Sequence, residues 1–249
     1  MNWLTARPIA HRGWHGEGRI ENSLAAARAA IAAGFAIECD IQRSADGEAV
    51  VFHDDTLERL TSAPGRIADY SATRLAALRL GGVADPIPTL TQLLKLIAGR
   101  VPLICEIKSS FDGDTRLAAR AEEIAADYDG PLAFKSFDPE VVGFLRETGS
   151  ARPLGLVAEA SYDDPYFAAL SSSQKRDCAA FLHVARTRPD FLSWRVDDLP
   201  HAAPSLFSAL GGKPVLVWTV RTAAQWALAR EFADQAVFEG RPASDHVDA

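Results

Sequence analysis

Eight short apolar segments alternate with alanine-rich amphipathic stretches along almost the whole chain, and this alternation restricts the fold more than any other feature. The apolar segments have the length of buried strands and lie near Pro8–His11, Ala36–Gln42, Pro102–Ile107, Leu132–Phe137, Leu154–Val157, Phe191–Val196, Val215–Val220 and Gln235–Glu239. The helical patterns lie near Ser23–Ala33, Leu90–Ala98, Arg116–Ala126, Pro139–Glu147, Tyr166–Val184 and Ala223–Ala233. The first of them follows Asn22, a good N-cap, and ends at Gly34, a good C-cap residue. Strands that alternate with helices form parallel sheets, and eight such units can close into a barrel. The sequence therefore predicts an α/β fold of the (β/α)8 TIM barrel type, with a doubly wound open sheet as the alternative.

The length and composition agree with one barrel domain. The chain has 249 residues, and a barrel of this type typically has roughly 250. No repeat, low-complexity tract or linker divides it, so we expect a single domain over residues 1–249. The three cysteines lack the spacing of a disulfide framework or a zinc site.

Charge and hydropathy restrict the partners and the location of the protein. The net charge of −7 argues against nucleic-acid binding, which normally needs a basic face. The sequence shows neither the pattern of a signal peptide nor an unbroken apolar run of about 18 residues. We therefore expect a cytoplasmic protein with no stable membrane association.

One segment interrupts the alternation of strands and helices. Between Ile41 and His53, Asp46-Gly47 separates two strand-like runs. Asp-Gly is a strong signal for a hairpin turn, because both turn residues must tolerate a positive φ. A hairpin there would return His53 to the side of Asp40. Residues 54–89 would then form a long excursion after the second strand, and such excursions are usually functional loops.

Two of the predicted strands carry acidic side chains in otherwise apolar surroundings. Glu38 and Asp40 are two residues apart, which places both carboxylates on one face of a strand, and Glu106 and Lys108 repeat this spacing. A buried carboxylate without a partner is costly. These groups should therefore be paired with cations or bound to a metal ion, and an internal ion-pair network and a metal site both meet that requirement.

Further polar residues lie at or just beyond the predicted strand ends. His11 and Arg12 end the first strand, and His53 ends the predicted hairpin. In a barrel the strand ends converge on the C-terminal face, where active sites lie. Carboxylates suit Mg²⁺ or Ca²⁺, Arg12 and Lys108 suit phosphate, and histidines suit proton transfer. The set predicts metal-dependent hydrolysis of a phosphodiester.

Six short motifs also occur in the order and approximate spacing found in glycerophosphodiester phosphodiesterases, and the chain resembles that family. The motifs are His11-Arg12-Gly13, Glu21-Asn22-Ser23, Glu38-x-Asp40, Asp46-Gly47, His53-Asp54 and Glu106-x-Lys108, with weaker similarities at Ser136-Phe137 and Trp218-Thr219-Val220. The resemblance implies hydrolysis of small glycerophosphodiesters to glycerol 3-phosphate and an alcohol, with one divalent cation, Mg²⁺ or Ca²⁺. Choline, ethanolamine, glycerol, inositol and sugars all remain candidates for the alcohol.

The resemblance also implies roles for seven residues. These are Glu38, Asp40 and Glu106 as metal ligands, His11 and His53 as the acid–base pair, and Arg12 and Lys108 as contacts of the substrate phosphate. It favours His53 as the general acid and His11 as the base. Glu21 would either orient the first histidine or help to cap the helix that follows.

The sequence departs from the family pattern at three places. Arg221 stands where members often have Asn, Glu239-Gly240 stands where they often have Thr-Asp, and Ile20 replaces a frequent proline. Two other functions stay open. One is a phospholipase D of the sphingomyelinase D type, although those proteins are generally secreted and use disulfides. The other is a barrel that binds a phosphorylated ligand without turnover.

Overall fold

The computed structural model describes residues 2–82 and 85–242 of the chain. Within these residues, strands and helices alternate in the order of a (β/α)8 barrel, with one added strand in a hairpin after the second strand. The predicted fold class is therefore confirmed. The described residues form two compact units: a first unit of Ile9–Lys108 and Arg116–Leu132, and a second unit made of the rest.

The first unit contains four strands and four helices. They are β1 (Ile9–Ala10), α1 (Leu24–Ala32), β2 (Ala36–Arg43), β3 (Ala49–Val51), α2 (Ala72–Ala77), α3 (Leu90–Ile97), β4 (Leu103–Ile107) and α4 (Arg116–Ala126). Strand β2 pairs in parallel with β1 and with β4. Residues 36–41 of this strand are all buried, as in a parallel sheet that is covered on both faces.

The predicted hairpin is present. Strand β3 pairs antiparallel with β2, with Ile41 opposite Val51 and Arg43 opposite Ala49. Gly47 in the turn has φ +86°, a value that a residue without a Cβ adopts at no steric cost. The backbone N–H of Phe52 donates to the carbonyl of Asp40 over 3.0 Å. The hairpin therefore brings His53 back beside Asp40, as the sequence predicts.

The described residues of the excursion after the hairpin, 54–82 and 85–89, share a hydrophobic cluster with the second half of the hairpin. The excursion contains the 3-10 helices Ile67–Asp69 and Leu80–Gly82 as well as α2. The buried side chains pack in one cluster formed by Val50, Phe52, Leu57, Ile67, Leu75, Leu80 and Ile87. This packing stabilises the described part of the excursion, residues 54–82 and 85–89, because buried apolar contacts offset the entropy lost on ordering a long loop.

Helix α1 begins one residue later than the capping pattern predicts. The N-cap is Ser23, whose hydroxyl accepts from the backbone N–H of Ala26, and Asn22 lies outside the helix with φ +56°. Gly34, with φ +75°, follows the helix as predicted. A serine hydroxyl satisfies one of the N–H groups left open at a helix start, which leaves the side chain of Asn22 for another contact.

The second unit contains five strands and five helices. They are β5 (Leu132–Ser136), α5 (Pro139–Glu147), β6 (Leu154–Ala158), α6 (Ser172–Ala179), α7 (Val184–Thr187), β7 (Phe191–Arg195), α8 (Ala202–Gly211), β8 (Val215–Val220), α9 (Ala223–Phe232) and β9 (Gln235–Phe238). Each strand pairs in parallel with the next one along the chain. No helix of the described residues is long and apolar enough to cross a membrane.

Two helical segments of this unit differ from the sequence prediction. The single helix predicted over Tyr166–Val184 is divided into the 3-10 helix Pro165–Phe167, α6 and α7. Ser171 and Gln174 form a capping box that starts a new helix, and Phe181 has φ +57°, which ends it. Helix α8 was not predicted, because its leucines Leu206 and Leu210 are exposed and do not mark a buried face.

Candidate active site

Three buried carboxylates lie together on neighbouring strands of the first unit. Glu38 and Asp40 are on β2 and Glu106 is on β4, with Asp40 and Glu106 as register partners. Their exposed fractions are 0%, 1% and 5%. One oxygen from each side chain lies within 4.8 Å of the other two. The alternation of side chains along β2 therefore places both of its carboxylates on the face that Glu106 shares.

Two cations contact this carboxylate cluster. The ammonium Nζ of Lys108 lies 2.9 Å from Oδ1 of Asp40 and 2.5 Å from Oε1 of Glu106. The guanidinium Nε of Arg12 lies 3.3 Å from the other Asp40 oxygen, Oδ2. Burial by itself would raise the pKa of Asp40, but the charges of Lys108 and Arg12 hold that pKa well below its ordinary value. Asp40 is therefore an anion at neutral pH despite its burial.

The turn after β1 attaches the His-Arg-Gly motif to β2. The backbone N–H of Gly13 donates to the carbonyl of Glu38 over 3.1 Å, and the N–H of Arg12 donates to Oε2 of Glu38 over 3.1 Å. Nε2 of His11 lies 3.8 Å from the same Oε2. Gly13 has φ +77°, and a Cβ on it would lie 2.9 Å from Ala26 of α1. Only glycine fits both this conformation and this close approach.

Asn22 is part of the site although it was predicted only as a helix cap. Its Nδ2 donates to Oδ2 of Asp40 over 3.0 Å, and its Oδ1 accepts from the backbone N–H of Asp40 over 3.2 Å. This double contact fixes the rotamer of the Asp40 carboxylate. The Glu-Asn-Ser motif could have indicated that Asn22 lies in a turn before the helix, because asparagine adopts the left-handed conformation more readily than most residues.

His53 lies beside the cluster on the hairpin. Its backbone carbonyl accepts from Nε2 of Gln42 over 3.0 Å, and its ring Nδ1 lies 2.7 Å from Oδ1 of Asp54. The side chain is 31% exposed. His53 is therefore held at the edge of the cluster with access to solvent, whereas the side chain of His11 is only 9% exposed.

Glu21 joins two arginines. Its Oε1 accepts from Nη1 of Arg12 over 2.6 Å, and both of its oxygens accept from Arg59. Burial opposes ionisation, but the hydrogen bonds from Arg59 and the charge of Arg12 lower the pKa of Glu21 to about 2. Ser23, and not Glu21, caps the helix that follows.

The cysteines next to the carboxylates face the other way. Cys39 lines a small cavity with Ala27 of α1 and Leu93 of α3, and it is the register partner of Cys105. Cys39, Cys105 and Cys178 are buried and free. Cys39 and Cys105 are core residues on the helix side of the sheet, and Cys178 is a core residue of the second unit.

Two departures from the family pattern contact each other in the second unit. Nε of Arg221 lies 2.7 Å from Oε2 of Glu239, and Nη2 of Arg221 donates to Oε1 over 3.2 Å. Arg221 follows β8 and Glu239 follows β9, and the two strands are parallel neighbours. The two unusual residues thus form one bidentate ion pair.

The donor set of the carboxylate cluster fits a hard divalent cation. Mg²⁺ and Ca²⁺ prefer carboxylate oxygens, and the three side chains are close enough to share one ion. The two flanking cations keep the Asp40 carboxyl ionised by lowering its pKa, and carboxylates must lose their protons before they bind metal. The fold and this site define a barrel protein with a buried acidic triad that could bind a metal.

Comparison with known proteins identifies the family. Residues 11–244 match the glycerophosphoryl diester phosphodiesterase family. A glycerophosphodiester phosphodiesterase of Caldanaerobacter subterraneus is 28% identical over 174 residues, which cover 65% of this chain and 70% of that protein. The chain belongs to this family of phosphoric diester hydrolases.

Solved structures agree with the sequence match. An Oleispira antarctica phosphodiesterase in complex with its product sn-glycerol-3-phosphate superposes with a TM-score of 0.76 and 25% identity, covering 94% of this chain and 92% of that one. A glycerophosphodiester phosphodiesterase of Thermotoga maritima has a TM-score of 0.72, with coverage of 97% and 96%. At 24% identity the second comparison supports the fold.

Proposed function

We propose that this protein hydrolyses glycerophosphodiesters to glycerol 3-phosphate and an alcohol, with one Mg²⁺ or Ca²⁺ bound by Glu38, Asp40 and Glu106. The observation that carries the proposal is the close grouping of these three buried carboxylates. The product complex of the Oleispira antarctica relative supports glycerol 3-phosphate as the product. The family match over residues 11–244 supports one catalytic domain over residues 1–249.

Arg12 and Lys108 would bind the substrate phosphate. Both are held against Asp40, so their charges are placed before substrate arrives, and little reorganisation accompanies binding. Arginine offers planar paired donors and lysine a compact charge. A divalent cation in the cluster would supply further positive charge to a non-bridging phosphate oxygen.

His11 and His53 would transfer the protons. Displacement at phosphorus needs one group that takes a proton from the attacking oxygen and another that protonates the leaving alkoxide. His53 presents a partly exposed ring at the edge of the cluster, as a donor to a departing alcohol requires, and we assign it as the general acid. His11, buried beside Glu38, is then the base.

The direct test is turnover of glycerophosphodiesters by enzyme freed of metal with a chelator. We expect no turnover in the chelator, and release of glycerol 3-phosphate after addition of Mg²⁺ or Ca²⁺. A panel with choline, ethanolamine, glycerol and inositol as the alcohol would identify the substrate. Full activity in the chelator would contradict the metal assignment. Binding of every diester without turnover would indicate a ligand-binding barrel, and release of the free alcohol from sphingomyelin or lysophospholipids alone would indicate a phospholipase D.

A further inference from the structure

Arg59 links two carboxylates that the proposed mechanism does not use. It lies in the excursion after the hairpin, six residues beyond His53. Its Nη1 and Nη2 donate to the two oxygens of Glu21 over 2.9 and 2.8 Å. Its Nε and Nη2 donate to the two oxygens of Asp54 over 2.5 and 2.8 Å. The guanidinium of Arg59 therefore binds both oxygens of each carboxylate. This bidentate geometry fixes the orientation of the carboxylates as well as their distance from Arg59.

Each of these carboxylates contacts a residue of the proposed site. Oδ1 of Asp54 lies 2.7 Å from Nδ1 of His53. Oε1 of Glu21 accepts from Nη1 of Arg12 over 2.6 Å, and Arg12 in turn contacts Asp40. The chain of contacts thus runs from the histidine through Asp54, Arg59 and Glu21 to the arginine.

The charges in this chain determine which nitrogen of His53 is protonated. Burial works against the ionised form of Asp54, but hydrogen bonds from His53 and Arg59 lower the pKa of this carboxyl below its ordinary value. An ionised carboxylate only accepts hydrogen bonds, so Nδ1 of His53 carries a hydrogen. The other ring nitrogen, Nε2, is then the atom available for a proton transfer to or from substrate.

We propose that Arg59 is a positioning residue of the active site, which holds Asp54 and Glu21 so that His53 presents Nε2 and Arg12 keeps its place against Asp40. The role of His53 in this inference rests on the proposed hydrolysis. The side chain of Arg59 is 47% exposed and lies outside the buried core, and an ion pair so exposed to solvent contributes less to folding than a buried one. Catalytic groups, in contrast, depend on the residues that orient them.

The test compares Arg59→Gln with a matched control in the same unit. Arg120 also joins two carboxylates, with hydrogen bonds to Glu48 and Glu123, and it is 38% exposed. We expect Arg59→Gln to lower kcat roughly 10- to 100-fold, in the range seen when groups behind a site residue are removed. Arg120→Gln should keep kcat within about twofold, since surface substitutions away from the site have small effects.

A second measurement does not depend on activity. The ring ¹⁵N signals of His53, assigned by their loss in His53→Asn, report the tautomer of the free protein at alkaline pH. Wild type and Arg120→Gln should show a single Nδ1–H form, and Arg59→Gln should show a mixture. If Arg59→Gln does not fold, Arg59→Lys is the second variant. It keeps the positive charge but lacks the paired donors of the guanidinium, and it should give the same mixture of His53 tautomers.

The two measurements separate the inference from the proposed function. An unchanged tautomer in the Arg59 variant would overturn the inference whatever the enzyme hydrolyses. A mixed tautomer with wild-type kcat would overturn the positioning role in catalysis. A wild-type protein that hydrolyses no glycerophosphodiester would contradict the proposed function, while the tautomer measurement would still decide whether Arg59 holds His53.

Discussion

The contacts of Asp40 explain how a carboxylate stays ionised although it is buried on a barrel strand. Asp40 is 1% exposed, yet it contacts Lys108, Arg12 and Asn22. Opposite charges and hydrogen bonds to the charged form both favour ionisation, and here they outweigh burial. The carboxylate is therefore ready to bind a cation without first losing a proton.

The roles of the two histidines can be separated by the leaving group. We expect His11→Ala and His53→Ala each to reduce turnover of a glycerophosphodiester by on the order of 10²-fold or more, because each removes one proton-transfer group. A nitrophenyl diester has a good leaving group and needs little help from a general acid. It should therefore restore turnover in the His53 variant and not in the His11 variant. Near-normal turnover of both variants on the natural diester would show that neither histidine is catalytic.

Glu159, which follows β6, predicts a pH dependence of stability. It is 5% exposed, and burial raises its pKa to about 7 although Arg195 opposes the shift. Between its ordinary pKa near 4.5 and 7, the folded protein keeps a proton that the unfolded chain loses. The free energy of unfolding therefore falls as pH rises through this range.

The variant Glu159→Gln should remove this fall, so that it gains stability relative to wild type between pH 4 and pH 8. The measurement is chemical denaturation at a series of pH values. Glu140 is the control of opposite sign, because its hydrogen bonds to Arg186 lower its pKa. Glu140→Gln should lose stability relative to wild type as pH rises through the ordinary carboxyl range. The same pH dependence in wild type and Glu159→Gln would contradict the assignment.

For single residues, the sequence predicts which side chains share a face of a strand better than it predicts which side chains contact each other. The strand period placed Glu38 and Asp40 on one face, and the structure agrees. The contacts of Asn22 and Arg59 were not predicted, because both depend on the path of loops that no periodicity describes. The Arg221–Glu239 pair joins residues that the sequence showed only as two separate departures.

At the scale of elements, glycines with positive φ fix two turns around the site. Gly13 and Gly47 have φ +77° and +86°. A Cβ at Gly47 would meet no atom within 4 Å, whereas a Cβ at Gly13 would lie 2.9 Å from Ala26. Both positions thus require a positive φ, but only Gly47 has room for a Cβ atom.

We therefore expect Gly47→Ala to lower the free energy of unfolding by about 1–2 kcal/mol, the cost of a left-handed residue with a Cβ. Gly13→Ala should cost more, because α1 or the turn must also move. Urea denaturation of both variants measures the difference. Equal losses at the two positions would show that the close approach to α1 has no energetic consequence.

The elements that carry a strong local signal were the ones predicted from the sequence. Asp46-Gly47 predicted the hairpin, and the parallel strands follow from their buried apolar runs. Helix α8 lacks such a signal. Only one residue of this helix, Pro204, is buried, so no apolar face repeats along it. The predicted helix Tyr166–Val184 is divided by the capping box of Ser171 and Gln174, where α6 starts, and by Phe181 in a left-handed conformation, where α6 has ended. The residue type of phenylalanine does not predict that conformation.

In the molecule as a whole, the family assignment and the chemistry of the site both support a metal-dependent phosphodiesterase. The family match spans residues 11–244, and all seven residues predicted for the site lie in the first unit. We propose which of these residues bind metal and which transfer protons in this chain. The carboxylate cluster is the proposed catalytic metal site.

The most direct test is the release of glycerol 3-phosphate, followed by ³¹P NMR, in excess Mg²⁺ or Ca²⁺. The variants are Glu38→Gln, Asp40→Asn and Glu106→Gln, and the control is Asp190→Asn, a carboxylate that precedes β7 and pairs with Arg146. We predict that wild type and Asp190→Asn release product, and that the three cluster variants remain folded and release none. Metal-dependent release by all three cluster variants at the wild-type rate would show that the carboxylate cluster is not the catalytic metal site.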